Sequence, residues 1–258
     1  LRSHGGAGAG GELALFVHAY YVDVFEEIID RYLSENMRYP IYVTTQQDKE
    51  GDVSEILSRN KITHRIFVEE NHGRDVLPFI KNAHHIQQDG FRYILKLHTK
   101  KSLHREDGAV WRNELFAEFL NRNTLERIKT MFDRNPDLGI AGPEMHILPL
   151  TDHLEENYAN LDRIAARMQI DLQDALKRDS FVAGTMFFAR FSSLIPILKL
   201  DLQYEDFDEE AGQLDGTLAH ALERVFGVAT RLNGRRVATF ETIMGTRANM
   251  PSRRSFHT

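Results

Sequence analysis

Between Leu13 and Leu97, short apolar runs alternate with segments of helical period, joined by links of a few residues. Leu13–Val17, Tyr39–Thr45, His64–Val68 and Tyr93–Leu97 are rich in β-branched and aromatic residues and are bounded by polar turns, so each reads as a strand. Between them, Val24, Phe25, Ile28, Ile29, Tyr32 and Leu33 recur at helical spacing. Val53, Ile56 and Leu57 fit one face of a shorter helix, and a third helix runs from Val76 or Pro78 to about Gln88. Proline is tolerated in a helix's first turn, where its missing N–H is not needed. Two parallel strands need a crossover while antiparallel ones do not, so regular alternation predicts an α/β fold with a mostly parallel central sheet covered by helices.

The pattern loosens after Leu97. Trp111, Leu115, Phe116, Phe119 and Leu120 mark a helix, and Leu125, Ile128, Met131 and Phe132 extend or follow it. Leu138–Gly142 reads as a short strand. Thr151–Lys177 is charged and rich in helix formers, which predicts a helical insertion over 151–178. Phe181–Arg190 reads as one aromatic strand, and Leu218, Ala221, Leu222 and Val225 as the last helix, with Gly227 near its C-cap. Residues 1–12, with the run Gly5–Gly11, read as a flexible linker or appended leader. One domain is expected over 13–245, with a polar tail over 246–258. A start on Leu rather than Met predicts a chain cut from a longer protein.

Composition narrows the class. A net charge of −6 argues against a nucleic-acid binder. With no cysteine, disulfides, thiolate metal sites and thiol nucleophiles are excluded, which fits a reducing compartment. No apolar run approaches the ~18 residues of a membrane span, and no signal peptide is visible. The expected location is cytoplasmic, peripheral at the inner face of the cell membrane.

Against that acidic background, the apolar run from Tyr93 ends in Lys96, His98, Lys100, Lys101 and Ser102. Ligands of open α/β sheets sit at the carboxyl ends of strands, so this cluster predicts an anionic ligand, a phosphate or diphosphate. Lys100 and Lys101 can offset charge on a leaving diphosphate, and Thr99 and Ser102 add hydroxyls. The alternative is a solvated basic loop. Asn71-His-Gly-Arg-Asp75 falls at the end of the third strand, on the same rim. Gly73 permits positive φ, Arg74 can clamp a phosphate, and Asp75 can accept from a sugar hydroxyl or simply cap a helix. Asp215 opens the last helix, either as a cap or as a general base, with Glu210 as a rival base. His220 and Glu223 share one face there, as a polar pair near the ligand or an exposed one. Gly184 and Thr185 begin a small-then-aromatic run that suits a sugar pocket, although Phe187 and Phe188 also read as core. Walker, dinucleotide, His-Glu-x-x-His and Gly-x-Ser-x-Gly motifs are absent. Asp206-Phe-Asp208 does not end a clear buried strand.

Four of these blocks, in order, are similar to signatures of the rhamnan synthesis protein F family: Asn71–Phe79, Leu95–Ser102, Ala183–Arg190 and Leu214–Arg224. The resemblance spans most of Leu13 to about Ile243. It implies a bacterial glycosyltransferase that builds rhamnose-rich surface polysaccharide such as O-antigen or cell-wall rhamnan, on a GT-A-like α/β/α sandwich. It also implies a nucleotide-sugar donor, dTDP- or GDP-rhamnose, and a glycan acceptor that can be lipid-linked. Neighbouring transferase domains in a longer chain are implied too. Members of that fold usually hold a metal through Asp-x-Asp at a strand end, whereas this rim carries His98-Thr-Lys-Lys101. The departure favours cationic side chains, rather than a divalent metal, on the diphosphate. By fold analogy Asp215 is the base of an inverting transfer; residues near His18–Tyr21 and Gly73–Asp75 are expected to hold the nucleoside end, with Gly184, Thr185 and His220 on the acceptor side or lining the pocket. Two other readings stand beside this one: a non-catalytic nucleotide-sugar or carbohydrate-binding module of a larger synthase, and, more weakly, a phosphate-ester hydrolase.

Overall fold

The computed structural model describes residues 12–101 and 108–245. The leader up to residue 11, Ser102 and the tail from residue 246 lie outside the described residues. The first half is regular: β1 (Leu13–Ala19), α1 (Val22–Ser34), β2 (Ile41–Thr45), α2 (Glu50–Arg59), β3 (His64–Val68), α3 (Val76–Gln88) and β4 (Tyr93–His98). The second half is α4 (Gly108–Phe119), α5 (Arg122–Arg134), β5 (Leu138–Gly142), β6 (Ile147–Pro149), α6 (Tyr158–Arg167) and α7 (Leu172–Arg178). It ends with β7 (Ser180–Val182), β8 (Phe187–Arg190), α8 (Ile195–Leu198), α9 (Leu218–Leu232), β9 (Arg236–Thr239) and α10 (Phe240–Met244).

Seven strands form one sheet in the order β3-β2-β1-β4-β8-β5-β9. All neighbours are parallel except β8, which runs antiparallel to both β4 and β5. β6 and β7 pair antiparallel as a separate small sheet. The chain winds outward from β1 through β2 to β3, then crosses back to place β4 on the other side of β1. That reversal opens a crevice at the carboxyl ends of β1 and β4.

Strand alternation assigns the two faces. Leu13, Leu15 and Val17 of β1 and Tyr93, Leu95 and Leu97 of β4 pack with α1, α2, α4, α5 and α10. Ala14 and Phe16 of β1 and Ile94 of β4 point the other way, to α3, α6, α7, α8 and α9. The result is three layers with a core on each side. Helix α1 shows why the elements dock: Val24, Phe25, Ile28, Ile29 and Tyr32 form one buried stripe, each large side chain contributing about 1.5–3 kcal/mol by leaving water.

Two expectations change. Phe181–Arg190 is not one strand: β7 stops at Val182, the chain turns through Gly184 (φ +83°) and Thr185 (φ +51°), and β8 restarts at Phe187 in the other sheet. Gly227 is not near a C-cap, since α9 continues to Leu232. A Cβ there would lie 1.8 Å from the Ser180 carbonyl oxygen, so glycine is needed for α9 to lie against β7. The segment 151–178 contains two helices, α6 and α7, which join the core through Leu161, Ile164 and Ala175.

Candidate functional site

A pocket of about 390 Å³ opens at the switch point between β1 and β4. Its floor follows from register. His18 pairs with His98 across β1 and β4, and both continue the face that carries Phe16, Ile94 and Lys96. Lys96 is fully buried, with its ammonium 5.4 Å and 5.9 Å from the ring centres of Phe79 and Phe187. It donates to the Asp75 carboxylate at 2.5 Å and to the Thr185 carbonyl at 3.0 Å. The Thr185 hydroxyl donates to the same Asp75 oxygen. Burial opposes charge on Asp75, but the attraction of Lys96 more than offsets it, and the carboxyl is held well below its ordinary range. Asp75 sits at the N-cap position of α3 yet makes no cap hydrogen bond. Its carboxylate serves the floor instead.

The Gly184–Thr185 turn is held from several sides. His98 donates from Nε2 to the Gly184 carbonyl at 2.6 Å while its Nδ1 accepts from Lys100 N–H at 3.1 Å, which fixes a neutral tautomer. The Gly184 N–H donates to Glu223 at 2.6 Å. Burial lowers the pKa of His98 and takes that of His18 to about 4, so both imidazoles are neutral at physiological pH. His18 Nδ1 lies 2.9 Å from the Thr44 hydroxyl.

The walls are charged. Lys100 lines the pocket from the β4 end and Arg74 from the turn before α3. Arg74 adopts φ +56°, directly after Gly73 at φ +63°. A Cβ on Gly73 would meet Leu77 at 2.5 Å and Phe207 at 2.8 Å, so only glycine fits this turn. Arg74 N–H donates to Glu210 at 3.1 Å, and its Nη2 donates to the Gln213 carbonyl. From α9 come His220 and Glu223. Burial, then the Arg74 guanidinium, hold His220 down to about 4. Burial raises the Glu223 carboxyl, with the Gly184 N–H opposing it. A carboxylate with a raised pKa on a pocket wall is suited to accept a proton.

Other expected site residues lie elsewhere. Lys101 pairs with Asp23 and lies 4.8 Å from the centre of the Tyr21 ring, outside the pocket lining. Thr99 is fully buried, and its hydroxyl accepts from the N–H groups of Tyr20 and Tyr21 at 2.9 Å each, fastening the β1–α1 turn. Asp215 also stands outside the lining. Gly216 (φ +81°) turns the chain so that both carboxylate oxygens accept from Asn157 at 2.8 Å, and Arg224 is 3.8 Å away. The cap of α9 is Thr217, in a reciprocal box with His220. Asp206 accepts from Gln203 N–H and pairs with Arg167, while Asp208 accepts from Leu218 N–H at 2.9 Å. Neither lines the pocket, so the Asp206–Asp208 pair does not fit a metal–diphosphate role. Among the described residues, no group of three or more His, Asp or Glu side chains is placed to hold a metal.

A model of the rhamnan synthesis protein F family matches residues 6–234. The chain belongs to this family. It is also 38% identical over 229 residues to the protein named "Uncharacterized protein WxcX" in two strains of Xanthomonas campestris pv. campestris, B100 and ATCC 33913. Each match covers 89% of this chain and 33% of the relative, so the chain spans about a third of the length of the curated relatives it matches. Membership associates the domain with polysaccharide synthesis. Among the described residues, no helix is long and apolar enough to cross a membrane.

The family blocks converge on the pocket: Arg74 and Asp75 from the first, His98 and Lys100 from the second, Gly184 and Thr185 from the third, His220 and Glu223 from the fourth. Sequence reasoning missed the buried pairing of Lys96 with Asp75. The signal was present, since a lysine inside an apolar strand, two residues before His98, must share its face. It also missed that His72 anchors the segment before α9, its Nε2 lying 2.9 Å from the Tyr204 carbonyl and 3.2 Å from that of Phe207. That contact spans more than 130 residues and leaves no local trace.

Proposed function

We propose that this domain is a GT-A-like glycosyltransferase that moves rhamnose from a dTDP- or GDP-linked donor to a growing bacterial surface polysaccharide, with inversion. The observation that carries the reading is a switch-point pocket with Lys100 and Arg74 on one part of its wall and the raised carboxyl of Glu223 on another. Cations suit a leaving diphosphate, and a basic carboxylate suits an attacking hydroxyl.

In this reading Glu223, rather than Asp215, is the base. Its carboxylate takes the proton of the acceptor hydroxyl as that oxygen attacks the anomeric carbon. The bond from that carbon to the donor phosphate breaks through an oxocarbenium-like state, and the electron pair leaves on the nucleoside diphosphate. Lys100 and Arg74 offset the charge that develops there. The Lys96–Asp75–Thr185 network keeps the Gly184 turn, and through it Glu223, in one position. Tyr20 and Tyr21 lie beside the nucleoside end. The acceptor is a glycan, carried on lipid at the inner membrane face, and the remaining two thirds of proteins like the relatives supply further transferase domains.

The test is release of nucleoside diphosphate from dTDP-rhamnose and GDP-rhamnose in the presence of a rhamnose-terminated acceptor. Glu223→Gln is expected to lower turnover by roughly 10²–10⁴-fold while donor affinity is retained. Asp215→Asn is expected to cost much less. Undiminished turnover in Glu223→Gln removes the base assignment, and loss confined to Asp215→Asn returns the role to that residue.

A further inference from the structure

Two buried nitrogen donors on the pocket wall have no hydrogen-bond partner among the described residues: Arg74 Nε and His220 Nε2. His220 Nδ1 accepts from the Thr217 hydroxyl at 2.9 Å, so its proton is on Nε2. The imidazole is more than nine-tenths buried. Arg74 Nε faces the Glu210 carboxylate at 3.7 Å, close enough for attraction but too far for a hydrogen bond. Glu210 instead takes the Arg74 backbone N–H at 3.1 Å. A peptide N–H and a guanidinium edge from the same residue therefore converge on one carboxylate, inside a pocket that also contains Lys100.

The segment carrying Glu210 is fixed at both ends, and from Glu209 to Leu214 its hydrogen bonds are internal or to Arg74. Before it, the Tyr204 and Phe207 carbonyls are tied to His72 and Asp208 accepts from Leu218 N–H, and after it Thr217 caps α9. Within it, Gly212 (φ +75°) and Gly216 (φ +81°) provide turns, and Leu214 at the tip is 73% exposed, with no apolar seat. What ties the tip to the pocket is Arg74, through Glu210 and the Gln213 carbonyl.

We propose that Glu210 is an internal anion resident in the subsite for one phosphate group of the ligand, and that binding exchanges its carboxylate for phosphate and frees the segment from Glu209 to Leu214. This rests on the pocket being a nucleoside-diphosphate site. A phosphate has more acceptor oxygens than a carboxylate and can satisfy Arg74 Nε and His220 Nε2 together, which Glu210 does not. A phosphate taken by Arg74 through Nε and Nη2 together displaces the Gln213 carbonyl as well, so exchange removes both holds on the tip and the acceptor side opens when the donor is in place.

Isothermal titration of the 258-residue chain with pyrophosphate, dTDP and GDP tests this, using wild type, Glu210→Gln, Arg74→Ala and the double variant, with circular dichroism to verify folding. Glu210→Gln keeps the side-chain shape and the acceptor for Arg74 N–H but removes the competing charge. It is expected to bind roughly five- to tenfold tighter, and the gain is expected to vanish in the Arg74→Ala background. Wild type that binds with no gain in Glu210→Gln, or a gain that persists without Arg74, overturns the exchange and leaves the transferase reading standing. No binding by any folded variant overturns both.

Discussion

The two halves of the sheet meet the pocket in different ways. On the β1–β4 side, the functional groups of the floor are borne by strands, with Lys100 and Arg74 in the turns beyond strand ends. His18, Lys96 and His98 follow one face by simple alternation, and register across β1 and β4 fixes their relation. On the β5–β9 side they are borne by turns and a helix start: Gly184 and Thr185 between two strands of different sheets, Glu210 on an irregular segment, His220 and Glu223 on α9. Strand-borne groups are buried and neutral or paired, so they form a floor. The turns and the helix start also hold buried groups, Thr185 and His220, but they carry the charged side chains of the pocket wall, Arg74, Lys100, Glu210 and Glu223. The contrast implies that damage to the strand-borne floor appears as lost stability, and damage to groups on turns and α9, Lys100 and Arg74 included, as lost binding or turnover.

The largest effect expected on the floor comes from Lys96→Met. It leaves Asp75 buried without its partner, which costs about 3–5 kcal/mol. Chemical denaturation measures it, and adding Asp75→Asn is expected to restore part of the loss. If Lys96→Met melts like wild type, the floor is not what holds the Gly184 turn. On the other side of the comparison, Gly227→Ala forces a methyl against the Ser180 backbone. The expected loss is about 1–3 kcal/mol, read from the same denaturation curves, with α9 displaced and ligand affinity reduced together.

Acid sharpens the contrast further. The folded protein holds His18 and His220 at about 4 against an ordinary 6.5. As pH falls from 6.5 towards 4, the unfolded chain takes up protons that the folded one refuses, so stability declines over that window. Below it the imidazole contribution is fully lost, and below the ordinary carboxylate range Asp75 adds its own decline. Each imidazole is expected to contribute roughly 1–3 kcal/mol, and His18→Gln is expected to flatten the melting temperature between pH 6.5 and 4. An unchanged slope contradicts the neutral floor. The smallest effect serves as a control far from the pocket. Asn121 caps α5 by accepting from Thr124 N–H at 2.9 Å, and Asn121→Ala is expected to cost about 1 kcal/mol with ligand titrations unchanged.

The same division governs what was legible in the sequence. β1 to β4 and their helices follow from period alone, because each element buries a complete face and the links are short. β8 was legible as apolar but not as a separate antiparallel strand, since the break at Gly184–Thr185 is imposed by Lys96, Asp75, His98 and Glu223 from distant parts of the chain. β9, at the sheet edge, is too short and too polar to stand out. Among the site residues, Arg74 and Lys100 were readable from their place after strands. Lys101 was not separable from its neighbour, because only the fold shows that Asp23 of α1 takes it. Asp215 looked like a helix-start carboxylate, but Thr217 takes the cap, and a glycine turn places Asp215 on Asn157 of another segment, 3.8 Å from His220 Nδ1.

The central claim is that the switch-point pocket holds a nucleoside diphosphate through cationic side chains. Calorimetric titration with dTDP, GDP and UDP, in wild type and Lys100→Ala, tests it most directly. Saturable binding of one of these without added metal is expected, weakened roughly tenfold or more in Lys100→Ala. Binding that is indifferent to Lys100→Ala, or absent for all three nucleotides in the folded wild-type chain, would contradict it.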